Sequence, residues 1–155
     1  MKLEEGIGQF MRIGVILASH GEFAKAALGA VEMIAGKQAD VATLSLTAEK
    51  SLETFEAEMK DAYAQLISEC DQVVTLCDIY GGTPFNVITR CLASGMDMIA
   101  YTGLSMPVVV ELLLTRDGLE SAEDIRAQLV AAHAQAQAEI KAPVVADEDE
   151  DELDL

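Results

Sequence analysis

The sequence predicts a single α/β domain with an open, mainly parallel sheet flanked by helices. Short apolar segments rich in β-branched residues alternate along the chain with segments whose apolar residues recur at helical spacing. This alternation is typical of parallel sheets, in which each strand is followed by a helix. A chain of 155 residues, 51% of them apolar, has room for one domain and for a buried core.

The first half of the chain predicts two strands, each followed by a helix. Ile13–Ala18 is typical of a strand buried on both faces and ends in Ser-His-Gly. Val41–Leu46 predicts the second strand, and Gly36 marks the end of the helix between them. Thr47 is expected to cap the second helix. The apolar residues at helical spacing are Phe23, Ala27, Ala30, Val31 and Ile34 in the first helix, and Leu52, Phe55, Met59, Tyr63 and Leu66 in the second.

The next segment predicts a third and a fourth strand with a helix between them. Gln72–Cys77 is the third strand, and Met98–Tyr101 is a shorter fourth one. Thr83 is expected to cap the intervening helix, with Pro84 in its first turn. The residues of this helix expected to face the core are Phe85, Ile88 and Leu92.

Two more helices and a short strand are predicted near the end of the chain. Pro107 begins a helix that extends to about Thr115. Ser121 and Asp124 form a capping-box pattern before an Ala-rich helix. Val144–Val145 is long enough for a short last strand.

Right-handed crossovers permit the strand order 2-1-3-4 for this sheet. In that order strands 1 and 3 are neighbours, about 5 Å apart. The chain leaves these two strands in opposite directions, so their carboxyl ends border the crevice in which open α/β sheets bind ligands. A functional site is therefore expected where strands 1 and 3 end.

Two polar residues follow these neighbouring strands, namely His20 and Asp78. A carboxylate that accepts a hydrogen bond from one ring nitrogen fixes the histidine tautomer and leaves the other nitrogen free to attack an electrophile. The alternative is a loop histidine with an unrelated aspartate. The residues alone leave both interpretations open.

A glycine-rich loop, Gly81-Gly82-Thr83-Pro84, follows Asp78 and leads into a helix. Backbone N–H groups at a helix N-terminus favour anions, and glycines let the backbone approach a ligand closely. The Thr83 hydroxyl is a candidate donor to a phosphoryl oxygen. The alternative is an ordinary strand-to-helix turn capped by Thr83. The predicted convergence of this loop with His20 and Asp78 favours an anion site.

Composition and missing motifs exclude several function classes. The formal charge is −17, so the chain offers little counter-charge for nucleic acid or anionic lipid. Neither of the nucleotide-binding patterns GxxxxGK[ST] and GxGxxG occurs, nor does the GxSxG motif of serine hydrolases, and no second histidine lies near His20 at metal-ligand spacing. The cysteines, Cys70, Cys77 and Cys91, form no CxxC pair and are expected to be free thiols in a reducing cytoplasm.

Three segments resemble signatures of the IIA proteins of the mannose-type sugar phosphotransferase system. Ile13–Gly21 (IGVILASHG) resembles the opening of that family. Asp78–Asn86 (DIYGGTPFN) resembles its motif D-x-x-G-G-[ST]-P-F-N, which is the most specific of the three. Gly103–Arg116 (GLSMPVVVELLLTR) resembles its third signature. The resemblance extends in order from Met11 to about Ala142.

The resemblance implies a phosphotransferase that carries a phosphoryl group on His20. In that family an aspartate orients the histidine, and this residue maps onto Asp78. The hydroxyl residue after the paired glycines maps onto Thr83, and the loop Gly81, Gly82 and Thr83 would bind the phosphoryl group. Transfer between two imidazole rings requires neither a metal nor another cofactor, so none is expected.

The resemblance also implies partners. The donor is the histidine-containing phosphocarrier protein, and the acceptor is a separate IIB component that serves the membrane components IIC and IID in sugar uptake. Family members have four parallel strands and a fifth, antiparallel strand that is exchanged across a homodimer. Val144–Val145 is the expected position of that strand.

The expected organisation is a flexible lead at residues 1–10, the phosphocarrier domain at residues 11–146 and a disordered acidic tail at residues 147–155. Two other functions remain open on the sequence. One is a flavodoxin-like binding module that uses the same crevice for a phosphate-bearing cofactor. The other is a regulatory protein whose partner depends on the phosphorylation state of His20, without a role in transport.

Overall fold

The fold is taken from a computed structural model, which describes residues 10–145. The acidic tail expected at residues 147–155 lies outside the described residues. The same holds for the flexible lead expected at residues 1–10, except for Phe10.

The sheet has four parallel strands in the order β2-β1-β3-β4, which confirms the predicted fold class and strand order. The elements in chain order are β1 (Ile13–His20), α1 (Phe23–Ala35), β2 (Val41–Leu46), α2 (Leu52–Ile67), β3 (Gln72–Cys77), α3 (Gly82–Ala93), β4 (Met98–Tyr101), α4 (Met106–Thr115), a 3₁₀ turn (Arg116–Gly118) and α5 (Ala122–Ala134).

The core lies in two layers, one on each face of the sheet. Side chains alternate between the two faces along each strand. Val15 and Leu17 of β1 therefore pack toward α1, α4 and α5, whereas Ile16 and Ala18 pack toward α2 and α3. Residues 13–19 of β1 are buried, as the apolar composition of this segment predicts for a central parallel strand.

Two predicted helix starts were wrong. The second helix begins at Leu52 and not directly after Thr47, because the hydroxyl of Ser51 accepts a hydrogen bond from the backbone N–H of Thr54 at 3.1 Å. The third helix begins at Gly82, with Gly81 at the N-cap position and no side-chain cap. Thr83, predicted as its cap, lies inside the first turn instead.

Leu92, predicted to face the core, is exposed at the surface, and so are Phe23 and Ile34, which recur at helical spacing in the first helix. Helix α1 contacts the sheet through Ala24 and Val31, and α3 contacts it through residues that include Val87 and Cys91. Helical spacing alone therefore does not determine which apolar residues of a helix face the core.

Two arginines hold the amino end of the central strand. Arg12 donates from Nε to Asp40 at 2.9 Å. Arg116 is buried and donates to the backbone carbonyls of Ile13 at 3.0 Å and Ala39 at 2.6 Å. These contacts lie at the opposite end of the sheet from the predicted site.

The predicted last strand is not formed within the single chain. Val144 and Val145 are exposed and belong to no strand in the part of the chain that the structure describes. Exchange of this strand across a homodimer requires a second copy, so it stays a prediction.

Candidate functional site

His20 and Asp78 meet at the carboxyl ends of two adjacent strands. His20 is the last residue of β1, and Asp78 directly follows β3. The parallel register pairs Ala18 with Cys77, so Asp78 follows β3 beside the last two residues of β1, Ser19 and His20. The Nδ1 atom of His20 lies 2.8 Å from Oδ2 of Asp78. The structure thus brings together the two residues that the sequence singled out.

One carboxylate holds both the ring and the backbone of the histidine. Oδ2 of Asp78 also accepts the backbone N–H of His20 at 2.9 Å, while Oδ1 accepts the N–H of Ile79 at 2.9 Å. Burial would raise the pKa of Asp78, but the hydrogen bonds from His20 and Ile79 outweigh it and lower the pKa of this carboxyl below its usual value.

The ionised carboxylate determines which ring nitrogen of His20 carries the proton. A carboxylate oxygen only accepts hydrogen bonds, so Nδ1 must be the donor. In the neutral ring Nε2 then keeps its lone pair. The His20 side chain is 46% exposed and that of Asp78 14% exposed, so a partner protein can reach the ring while the carboxylate is shielded.

The glycine loop lies against the reactive edge of the ring. A β-carbon added to Gly82 would lie 3.1 Å from Cε1 and 3.3 Å from Nε2 of His20. Gly81 and Gly82 both have positive φ, and Gly81, with φ 82° and ψ 174°, occupies a region open essentially only to glycine. The two glycines therefore let the N-terminus of α3 approach Nε2 without a side chain in between.

Thr83 follows Gly82 in the first turn of α3 and is partly buried. Its hydroxyl makes no hydrogen bond to any of residues 10–145 and remains available as a donor. The predicted site residues His20, Asp78, Gly81, Gly82 and Thr83 thus come from two neighbouring segments at one rim of the sheet.

Sequence analysis missed the apolar surroundings of His20. Phe23, Ile79 and Tyr80 are exposed, Tyr80 to 81%, and the Tyr80 ring lies 4.4 Å from that of Phe85 between centroids. Helical spacing did not distinguish Phe23, which is exposed, from the buried residues of the same helix. The position of Ile79 and Tyr80 in a loop beside Asp78 was the available signal, since apolar residues in such loops often contact partners.

The cysteines are free thiols, as predicted; they are buried and take no part in the site. Burial and the nearby charge of Asp78 raise the pKa of the Cys77 thiol to about 11, which keeps it protonated and unreactive at neutral pH. In residues 10–145 no three His, Cys, Asp or Glu side chains are grouped to hold a metal ion. None of the helices of this range has the length and apolar character needed to cross a bilayer.

Comparison with protein families gives one match that covers most of the chain. The family model described as "PTS system fructose IIA component" matches residues 14–129. This range includes both strand ends that carry the site, the glycine loop and helix α4.

Individual relatives agree with this match. The chain is 28% identical over 120 residues to the "PTS system mannose-specific EIIAB component" of Escherichia coli strain K12, which is 77% of this chain but only 37% of the relative's length. It is 28% identical over 107 residues to the "PTS system fructose-specific EIIA component" of Bacillus subtilis strain 168, which is 69% of this chain and 73% of that one.

A solved structure supports the same relationship. The mannose/sorbose specific IIA subunit of the phosphotransferase system from Enterococcus faecalis superposes with a TM-score of 0.74 at 28% identity. The match covers 88% of this chain and all of the other. The predicted resemblance is thereby confirmed for the sheet and its helices.

Proposed function

The chain belongs to the PTS fructose IIA component family, and from this we propose that it is a cytoplasmic phosphohistidine carrier. His20 accepts a phosphoryl group from the histidine-containing phosphocarrier protein and passes it to a IIB component. The observation that supports this most directly is the 2.8 Å contact between Nδ1 of His20 and Asp78 at the rim of the sheet.

The proposed step is a transfer between two imidazole rings. The lone pair of Nε2 of His20 attacks the phosphorus atom of the donor's phosphohistidine. A phosphorus–nitrogen bond forms to Nε2 as the one in the donor breaks, and that electron pair stays on the donor's ring nitrogen. The second transfer repeats this displacement, with a nucleophile of the IIB component attacking and Nε2 as the leaving group.

Asp78 supports this step by orientation and by charge. Its Oδ2 keeps the proton on Nδ1, so Nε2 is the nucleophile in every encounter. The carboxylate also stabilises the positive charge that develops on the ring as the new bond forms. Because it is already bound to two backbone N–H groups, it needs no rearrangement when that charge appears.

The N-terminus of α3 is proposed to stabilise the phosphoryl oxygens. The first N–H groups of a helix have no partner within the helix and favour negative charge. Gly82 places this helix end next to Nε2, and the Thr83 hydroxyl adds one more donor. Positioning and electrostatic stabilisation of this kind account for most catalysis of phosphoryl transfer.

The acceptor is proposed to be a separate IIB chain. The Bacillus subtilis relative is named for an EIIA component alone, whereas the Escherichia coli relative is named for EIIA and EIIB together. The IIC and IID membrane components would act after the IIB component, and the carrier is proposed to be a homodimer. The match to the IIA family favours a carrier over a flavodoxin-like binding module.

The chain offers its own control for a test, because it contains two histidines. His133 is exposed on α5 and its ring lies beside Gly103, away from Asp78. We expect the phosphorylated donor to label native protein and His133→Ala equally and to leave His20→Ala unlabelled. Mass spectrometry of the labelled peptide would identify the residue. Equal labelling of His20→Ala and native protein would refute the proposal.

A further inference from the structure

A single buried hydroxyl spans the turn that follows His20. Ser19 is fully buried, and its Oγ accepts the backbone N–H of Ala24 at 2.7 Å. The same oxygen lies 3.5 Å from the carbonyl oxygen of Gly21, at the outer limit for a hydrogen bond. The Ser19 side chain therefore contacts both sides of the segment that joins β1 to α1.

Helix α1 depends on this hydroxyl for its first turn. The residue at its N-cap position, Glu22, makes no side-chain cap. The unpaired N–H groups at a helix start need a partner, and buried ones are costly to leave without one. Ser19 supplies the partner from five residues upstream, so the bond spans residues 20–23 and fixes where α1 begins relative to the end of β1.

The direction of the His20 ring depends on the same turn. Successive side chains of a strand point to opposite faces, so Ser19 points toward α1 while His20 points toward α3. The N–H of Gly21 is held by the carbonyl of Leu46 at 2.8 Å, and the N–H of His20 is held by Asp78. The Ser19 hydroxyl completes this set of contacts on the C-terminal side of His20.

We infer that Ser19 is a positioning residue for phosphoryl transfer, and this inference rests on the proposed function. Asp78 sets the rotation of the ring, but the place of Nε2 relative to the glycine loop also depends on the backbone of His20. Space at Gly82 is limited, because a β-carbon added there would lie 3.1 Å from Cε1 and 3.3 Å from Nε2. A shift of the turn moves Nε2 relative to the incoming phosphorus atom, and small misplacements reduce transfer rates strongly.

Two substitutions test this role. Ser19→Ala removes the hydroxyl, and Ser19→Cys keeps the size of the side chain but replaces the oxygen by a poor acceptor. Ser45→Ala is the matched control, since Ser45 pairs with Ser19 in the register of β1 and β2 and its hydroxyl bonds to none of residues 10–145. Phosphoryl transfer from the phosphorylated donor is measured in single turnovers over a range of donor concentrations.

We expect Ser19→Ala and Ser19→Cys to lower the maximal transfer rate at least about tenfold, with little change in the donor concentration that gives half the maximal rate. Ser45→Ala should transfer at the native rate. Folded Ser19→Ala or Ser19→Cys protein that transfers at the native maximal rate would overturn the inference.

A second measurement distinguishes positioning from a purely structural cap and does not require transfer. The Nδ1–H proton of His20 gives an NMR signal whose exchange with water reports the bond to Asp78. We expect faster exchange in both Ser19 variants and native exchange in Ser45→Ala. Unchanged exchange in the Ser19 variants would overturn the inference, whereas absence of label on native protein would refute the proposed function itself.

Discussion

The oxygen Oδ2 of Asp78 binds two groups of the same residue, the ring and the backbone N–H of His20. This double contact couples the orientation of the imidazole to the position of the strand end. The sequence predicted the pair, because both residues follow apolar strands that the crossover rules make neighbours. It did not predict the backbone contact, which depends on the register of β1 and β3.

We predict that Asp78→Asn keeps the fold but slows phosphoryl transfer at least about tenfold, because an amide neither fixes the proton on Nδ1 nor stabilises ring charge. The rate is measured by quenched-flow labelling. Asp71→Asn is the matched control, since Asp71 accepts the backbone N–H of Arg12 at 2.8 Å just before β3 begins, at the opposite end of that strand. A native rate of phosphoryl transfer in Asp78→Asn would show that the carboxylate takes no part in the mechanism.

We predict that Gly82→Ala impairs transfer through a direct clash with the His20 ring. Gly36→Ala separates this clash from backbone strain, because Gly36 also has positive φ but an added β-carbon meets no atom within 4 Å. Both variants should lose stability in urea, and only Gly82→Ala should transfer more slowly. Equal transfer rates in the two variants would show that the ring tolerates a side chain at this position.

At the scale of elements, the alternation of short apolar segments with helical patterns, together with the length of each segment, was sufficient to predict the four strands of the sheet and the helices between them. Helix starts were harder, because several hydroxyl residues compete to cap the same helix. Thr47 and Ser51 both precede α2, and only the structure shows that Ser51 reaches the N–H of Thr54. The inward face of α3 was also misplaced at Leu92, and Phe23 likewise continues the helical pattern of α1 outside the core.

The correction at α2 gives an element-scale prediction. Ser51→Ala should lower the free energy of unfolding by about 1 kcal/mol, which is typical for loss of an N-cap hydroxyl. Thr47→Ala should change it by much less, because Thr47 lies outside the helix start. Urea denaturation followed by circular dichroism measures both. A larger loss of unfolding free energy in Thr47→Ala than in Ser51→Ala would show that Thr47 caps α2, as the sequence predicts.

At the scale of the whole molecule, a side chain bound to an aspartate lies at each end of the central strand. Arg12 lies beside Asp40 at the amino end, and His20 beside Asp78 at the carboxyl end. Asp40 is also the single non-glycine residue of positive φ in residues 10–145. No periodicity in the sequence indicates a pair such as Arg12 and Asp40, because the two residues meet only once the sheet is assembled.

These pairs predict a stability that decreases in acid. The hydrogen bond from Arg12 lowers the pKa of Asp40, and the pKa of Asp78 is lowered as well. As the pH falls, the carboxylates of Asp40 and Asp78 therefore become protonated at a higher pH in the unfolded chain than in the folded protein. Stability is retained above about pH 4 and falls as the pH drops through the lower pKa values of the folded state.

Asp40→Asn tests the contribution of one pair, because asparagine tolerates positive φ. We expect its free energy of unfolding to fall less steeply than that of the native protein between about pH 4 and lower pH. Arg12→Gln should have the same effect, since it removes the cation. If the free energy of unfolding fell equally steeply with decreasing pH in native protein, Asp40→Asn and Arg12→Gln, the stabilising contact between Arg12 and Asp40 would be contradicted.

The most direct test of the central claim identifies the nitrogen that carries the phosphoryl group. Protein labelled with ¹⁵N in histidine is phosphorylated by the donor and examined by NMR for coupling between phosphorus and nitrogen. The arrangement of His20 and Asp78 predicts coupling to Nε2 of His20, with the proton retained on Nδ1. Coupling to Nδ1, or to either nitrogen of His133, would contradict it.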